Sequence, residues 1–261
     1  MPIFAGVDVG SVAAKAVIMA DGQVLGRGLV ATRVSSERSG RLALIQALEQ
    51  AGIQQEDVHF TVATGYGRIV APFANATTTE ITCHALGAHY MNPPVRTVLD
   101  IGGQDCKAIR VGERGQVLNF VLNDKCAAGT GRFLEVVAKV FDAEVEQLGA
   151  MCDGASDRVP ISSTCTIFAE SECISLMARG EKPENIVNGI HYSVGRRAAG
   201  LVSKVGVEAE FAFTGGVGKN AGMRKVLEEL LGLKVTELSG DPQFVGAIGA
   251  ALVARGKALR A

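Results

Sequence analysis

Short apolar runs separated by turn residues follow one another along this chain, and their order repeats. Ile3–Val9 is an apolar, β-branched run ending in Asp8-Val9-Gly10-Ser11. Ala16–Met19 and Val24–Val30 flank Asp21-Gly22, and Asp-Gly between apolar runs signals a hairpin. Residues 39–52, SGRLALIQALEQAG, carry helical spacing, with Gly52 placed to end the helix. Val58–Ala63 reads as a further strand and runs into Thr64-Gly65-Tyr66-Gly67.

The same order then recurs. Thr97–Ile101 ends in Asp100-Ile101-Gly102-Gly103-Gln104-Asp105. Lys107–Val111, a turn at Gly112–Gln116 and Val117–Val121 follow. A helix is predicted from near Thr130, and a later strand, Glu210–Phe213, runs into Gly215-Gly216. Pro93-Pro94 separates the copies and marks a boundary. The pattern predicts an α/β protein of two similar domains, residues 1–94 and 95–244. A C-terminal helix over 245–261, rich in Ala and Gly, is expected to pack back on the first domain.

Composition narrows the function. With 261 residues, 48% hydrophobic and 20% charged, the chain is expected to be globular. Its net charge of -1 argues against broad electrostatic binding of nucleic acid or an anionic membrane. Trp is absent and aromatics are 5%, which disfavours a base-stacking surface. No signal peptide is visible, and no segment reaches membrane-spanning length; the apolar patch at 243–253 is short and broken by glycine. A cytoplasmic location is therefore expected, where disulfides are rare. The six cysteines (83, 106, 126, 152, 165, 173) form no CxxC pair, which counts against a zinc ribbon or thioredoxin site. Cys83, Cys106 and Cys173 sit in apolar settings and read as structural, while Cys152 falls in an expected loop. His84 and His191 read as structural rather than as ligands.

Each half ends its first strand with an aspartate beside glycines. Asp8-Val9-Gly10-Ser11 offers backbone N–H groups and a hydroxyl where the chain turns, the material of an anion-binding nest. Lys15 can reach the same phosphates as a point charge. Asp100–Asp105 supplies the matching loop. Two such loops across a cleft suit a triphosphate, with Asp8 and Asp100 holding Mg²⁺ through waters and Gln104 orienting an attacking water. One Asp-x-Gly turn alone is merely a turn. Two in matched positions, together with Thr214-Gly215-Gly216-Val217-Gly218 after a third strand, point to a nucleotide. Neither GxxxxGK[ST] nor a strand-linked GxGxxG occurs, and Gly129-Thr130-Gly131 lacks a third glycine, so a P-loop or Rossmann site is disfavoured. The duplicated arrangement resembles the actin/sugar-kinase/Hsp70 (ASKHA) superfamily. That resemblance implies two ribonuclease-H-like domains that close on ATP.

Two cysteines stand apart. Cys126 precedes the apolar-periodic segment Phe133–Phe141, and Cys165 precedes Thr166–Met177. Both are expected at or near helix N-termini, where the macrodipole favours a thiolate, and Ser162, Ser163 and Thr164 offer capping hydroxyls. Two thiolates are too few for an iron–sulfur cluster, which takes four; a two-fold dimer would supply the rest. Zinc shared by two subunits is a further option. The ordinary alternative is that both are buried small hydrophobes, as lone cysteines usually are.

Longer motifs carry a specific resemblance. NDKCAAGTGRFLE at 123–135 and SSTCTIFAESE at 162–172 are similar to the marks of the activator ATPases of 2-hydroxyacyl-CoA dehydratases, a family shared with the ATPase subunits of benzoyl-CoA reductases. ATGYGR at 63–68, TCH at 82–84, DIGGQD at 100–105, GIH at 189–191 and TGGV at 214–217 follow in the same order, over essentially the whole chain. The resemblance implies a homodimer with one [4Fe-4S] cluster between subunits, held by Cys126 and Cys165 of each. It implies that ATP hydrolysis drives one low-potential electron, received from a ferredoxin or flavodoxin, to an iron–sulfur acyl-CoA dehydratase or reductase. It places Ser11, Ala13, Lys15 and Gln104 on the phosphates of ATP or ADP, and Gly215, Gly216 and Gln243 on the nucleoside. Gly129 and Gly131, in the Cys126 motif, are further candidate cofactor-binding positions. One departure is visible: the first loop of the family usually reads GSTxSK and here reads GSVAAK, so Val12 and Ala14 replace hydroxyl residues. A small-molecule kinase of the same superfamily and a nucleotide-binding sensor are the rival readings.

Overall fold

The repeated order folds into two β-sheets of matching topology. A computed structural model describes residues 1–162 and 165–259. In the first sheet β1 (Ile3–Val9), β2 (Ala13–Ala20) and β3 (Gln23–Ala31) form an antiparallel meander, and β4 (Val58–Thr64) joins β1 in parallel, followed by the short β5 (Ala76–Thr77). In the second, β6 (Thr97–Ile101), β7 (Cys106–Val111) and β8 (Val117–Asn123) form the meander, and β9 (Phe211–Thr214) joins β6 in parallel. The architecture is the α/β duplication expected from the sequence, two ribonuclease-H-like sheets of the ASKHA type.

Strand alternation assigns each sheet two buried faces. Ala5, Val7 and Val9 of β1 pack with Ala14, Ala16 and Ile18 of β2 against α1 (Ser36–Ala51). The sequence pattern starts this helix at Ser39. It begins earlier because the Ser35 hydroxyl accepts the Arg38 N–H at 3.1 Å, and Gly52 ends it in the left-handed region at φ 66°. On the second sheet Leu99, Ile101, Phe211 and Phe213 face a core shared with α3 (Gly131–Val140), α4 (Val145–Met151), α5 (Thr166–Ala178), α6 (Pro183–Val205) and α7 (Ala221–Leu231).

Between the sheets lie α2 (Glu80–Met91) and α8 (Val245–Ala258). Val17 and Met19 from one sheet and Val98, Ile109 and Ala212 from the other join Ala85, Ala88, Ala247 and Ala251 in one cluster. The helix α8 follows the second sheet in sequence yet packs on β1 and β4. Glycine permits this closeness: a Cβ on Gly249 would lie 1.9 Å from the Cys83 carbonyl oxygen, and one on Gly87 2.0 Å from that of Val245. Gly249→Ala should force the two backbones apart and cost about 3 kcal/mol, read as a fall in thermal midpoint. A melting curve like the parent's would contradict the close approach. Among the described residues, no helix is long and apolar enough to cross a membrane.

Candidate functional site

An open cleft of about 870 Å³ is lined by strand ends and loops of both halves. Hairpin register builds its floor. Asp8 pairs with Lys15 across β1 and β2, and Asp100 pairs with Lys107 across β6 and β7. The side chains follow the register: Lys15 Nζ is 2.9 Å from Asp8 Oδ2, and Lys107 Nζ is 2.8 Å from Asp100 Oδ2. The parallel strand of each half then brings a glycine onto the aspartate. Gly65 (φ 82°, ψ -177°) and Gly215 (φ 84°, ψ -178°) share one conformation. A Cβ there would meet Asp8 Oδ1 at 2.4 Å and Asp100 Oδ1 at 2.9 Å respectively, so glycine is required on both steric and conformational grounds.

The second half carries the denser charge. Lys107 is buried and contacts Asp100, Asp105 (3.0 Å) and Glu80 (3.6 Å). His84 Nδ1 lies 3.3 Å from Asp100 Oδ1, without hydrogen-bond alignment, and the Thr214 hydroxyl donates to that oxygen at 2.9 Å. Burial pushes the Asp100 carboxyl up, but His84, Lys107 and Thr214 outweigh it and hold it below the usual carboxylate range. Burial opposes the Lys107 charge, yet the carboxylates of Asp100, Asp105 and Glu80 raise its pKa well above the ordinary lysine value. Glu80 shifts upward because desolvation outweighs its attraction to Lys107. Sequence reasoning alone misses Lys107 and Glu80. The signal available was the Asp–Lys spacing common to both halves, Asp8 to Lys15 and Asp100 to Lys107.

Ser11, Ala13, Gln104, Gly131, Gly215, Gly216 and Gln243 all line the cleft. The first loop closes on itself through Gly10 N–H to Ala13 O (3.1 Å), and the second through Gly102 N–H to Asp105 O (3.0 Å). The two loops touch, since Val12 Cγ2 lies 2.2 Å from where a Cβ of Gly103 would sit. Gly129 lies outside the cleft lining; at φ 88° it faces the stem of Arg197.

Cys126 and Cys165 are both exposed, which corrects the reading of them as buried hydrophobes. Cys165 is the N-cap residue of α5. Cys126 is not at a helix terminus: α3 starts at Gly131 after the turn around Gly129, so the macrodipole, felt within the first turn, does not reach it. Ser163 and Thr164, expected to cap α5, lie outside the described residues. The N–H and hydroxyl of Ser162 both donate to Glu172 rather than capping the helix. What Cys126 has is a tether. The segment that carries it leads into Gly131 and Arg132, whose N–H groups donate to Gly102 O and Gly103 O, each at 2.8 Å. The second cleft loop is thereby fastened to the start of α3, and α3 packs on α5. Cys83, Cys106 and Cys173 are buried, and burial raises their thiols, Cys83 to about 12 and Cys173 to about 11. Cys152, expected in a loop, lies half-buried in a 3-10 turn, its Sγ 2.9 Å from His191 Nδ1.

The geometry agrees with known proteins. The family model described as the BadF/BadG/BcrA/BcrD ATPase family matches residues 5–254. The (R)-2-hydroxyglutaryl-CoA dehydratase activating ATPase of Acidaminococcus fermentans is 46% identical over 257 residues, covering 98% of each chain. The solved structure of component A of that dehydratase superposes with a TM-score of 0.95 over 99% of this chain and 100% of that one. The activator of lactoyl-CoA dehydratase of Anaerotignum propionicum is 45% identical, over 95% of this chain and 96% of that protein. The activator of 2-hydroxyisocaproyl-CoA dehydratase from Clostridium difficile, solved with bound ADPNP, gives a TM-score of 0.93 at 38% identity, over 99% of this chain and 96% of that one. With a cleft of paired Asp–Lys hairpins, two exposed cysteines and a match along nearly its whole length, the chain belongs to the BadF/BadG/BcrA/BcrD ATPase family.

Proposed function

We propose that this protein is an ATP-hydrolysing activator that passes one low-potential electron to a 2-hydroxyacyl-CoA dehydratase. The observation that carries the proposal is the pair of hydrogen bonds from Gly131 and Arg132 to Gly102 and Gly103, which tie a nucleotide loop to the segment bearing Cys126. In this reading Ser11, Ala13 and Lys15 hold phosphate oxygens on one side and Gln104 on the other. Gly215, Gly216 and Gln243 carry the nucleoside. Asp8 and Asp100 hold Mg²⁺ through waters, and Gln104 orients the attacking water.

Cys126 and Cys165 fit a metal cluster shared between two copies. Both thiols are exposed, and Ile167 and Phe168 just beyond Cys165 are 69% and 67% exposed, an apolar surface suited to burial against a second subunit. Among the described residues no single chain gathers three His, Cys, Asp or Glu side chains able to hold a metal. Two copies supply the four thiolates that a [4Fe-4S] cluster needs. When bound, that cluster supplies the low-potential electron, received from a ferredoxin or flavodoxin. Free thiols of this kind suit the reducing cytoplasm.

ATP biases the domains, 1–94 and 95–244, toward closure only by binding the closed form more tightly. Closure draws on the loop at Gly102 and Gly103 and so on the start of α3. Oxygen-free protein, reduced beforehand with dithionite or a reduced ferredoxin and freed of excess reductant, should on mixing with ATP and a purified 2-hydroxyacyl-CoA dehydratase hydrolyse ATP and pass its electron to the dehydratase, followed by electron paramagnetic resonance. Hydrolysis with no reduction, or phosphorylation of a sugar instead, would refute the assignment.

A further inference from the structure

The cleft holds four cations, and three are already spoken for. Lys15 is paired with Asp8, Lys107 with Asp100, Asp105 and Glu80, and Lys125 with Asp124. Arg68 is the exception: among the described residues it has no carboxylate within ion-pair distance. Its guanidinium is nevertheless fixed. Nη1 donates to Gly65 O at 2.9 Å, the carbonyl of the glycine pressed against Asp8. The turn Tyr66–Val70 that carries Arg68 is itself seated, since a Cβ on Gly67 would meet Val9 Cγ1 at 2.5 Å. An anchored guanidinium with its remaining N–H groups unengaged, beside the first phosphate loop, is prepared for an anion.

The second half offers a comparison within the same molecule. Its corresponding turn, Gly216–Lys219, also carries a cation, but Lys219 is paired with Asp241 at 3.1 Å and does not line the cleft. Only the first half sends an unpaired cation inward among the described residues. Lys15 and Lys107 must give up a carboxylate to meet a phosphate; Arg68 gives up none.

We propose that Arg68 is a catalytic residue of ATP hydrolysis, donating to the γ-phosphoryl oxygens as charge shifts during transfer. In that step the water oxygen forms a bond to the γ-phosphorus. The bond to the β,γ-bridging oxygen breaks with its electron pair leaving on ADP, and the proton of the water passes to solvent. Charge redistributes over the equatorial and bridging oxygens, where a planar, forked donor is most effective. The assignment rests on the ATPase function proposed above.

Full-length Arg68→Gln and Arg68→Lys test it through three measurements: ATP turnover, affinity for ADP, and affinity for ADP with aluminium fluoride, a mimic of the phosphoryl group in transfer. Arg68→Gln should lose about a thousandfold in turnover. Its affinity for ADP should stay within about twofold of the parent, and the extra affinity conferred by aluminium fluoride should disappear. Arg68→Lys should recover little, because a lysine cannot present the fork. Equal losses for ADP and for its aluminium fluoride complex would reduce Arg68 to scaffold or ground-state binding and overturn the proposal, as would no change in either. Absence of turnover in the parent itself would overturn the ATPase function and this assignment together, a result distinct from a defect confined to the variants.

Discussion

Changing Cys126 to alanine should strip the iron from oxygen-free protein while leaving nucleotide binding in place. The expected loss is complete, from about four irons per dimer to none, because a [4Fe-4S] cluster needs four thiolates and the variant dimer offers two. It should not be a loss of fold. Cys126 is exposed and has no part in the core, and its side chain does not line the cleft, so ADP affinity and thermal midpoint should match those of the parent. Iron content, visible absorbance and ADP titration on the same sample separate the outcomes. Cys152→Ser is the control: Cys152 is half-buried against His191 and should keep its iron. A Cys126→Ala protein that retains iron would remove the shared cluster from the proposal, and zinc in place of iron would change the chemistry altogether.

Much of this site was legible in the sequence because local rules decide it. An aspartate beside glycines at a strand end, repeated at the same point of a repeated pattern, marks two loops that the fold brings to one cleft. Gly52 ends α1 by cap chemistry that acts over one turn and is read directly, whereas the Ser35 cap that starts the helix earlier than Ser39 is not. What was not legible depends on contacts between distant segments. Lys107 is one residue of an apolar strand until β6 pairs with β7 and sets it opposite Asp100, with Glu80 of α2 brought in from the other side. Cys126 resembles a helix-capping cysteine until the turn at Gly129 delays α3 and the carbonyls of Gly102 and Gly103 capture its first N–H groups. Val12 departs from the usual hydroxyl of the family in sequence. In the fold it rests on Gly103, so an apolar contact joins the two loops at this position.

Lys107→Met should be among the most damaging single changes, and its pH dependence should run opposite to the parent's. Removing one partner of a buried ion pair leaves the other uncompensated, at a cost of about 3–5 kcal/mol. Here three carboxylates are left facing one another around the vacated position. In the parent, Asp100 titrates below its unfolded value. Its ionised form therefore contributes stability that is present above the ordinary carboxylate range and is lost as pH falls through the lowered value. Lys107 titrates above its unfolded value, so its contribution is complete at neutral pH and is lost only on strong alkalinisation. In Lys107→Met the attraction and hydrogen bond of the cation are gone, so the Asp100 carboxyl moves up from its lowered value, with His84 and Thr214 still holding it down. Glu80, already raised by burial, moves further the same way. Stability of the variant should then rise as pH is lowered from about 7 to about 5, where protonation of Glu80 relieves the buried charge. Urea denaturation at the two pH values reads the sign directly. Adding Asp100→Asn should recover part of the loss at pH 7 and flatten the acid dependence, since one of the stranded charges is removed. Equal pH slopes for parent and variant would mean that Lys107 does not neutralise these carboxylates.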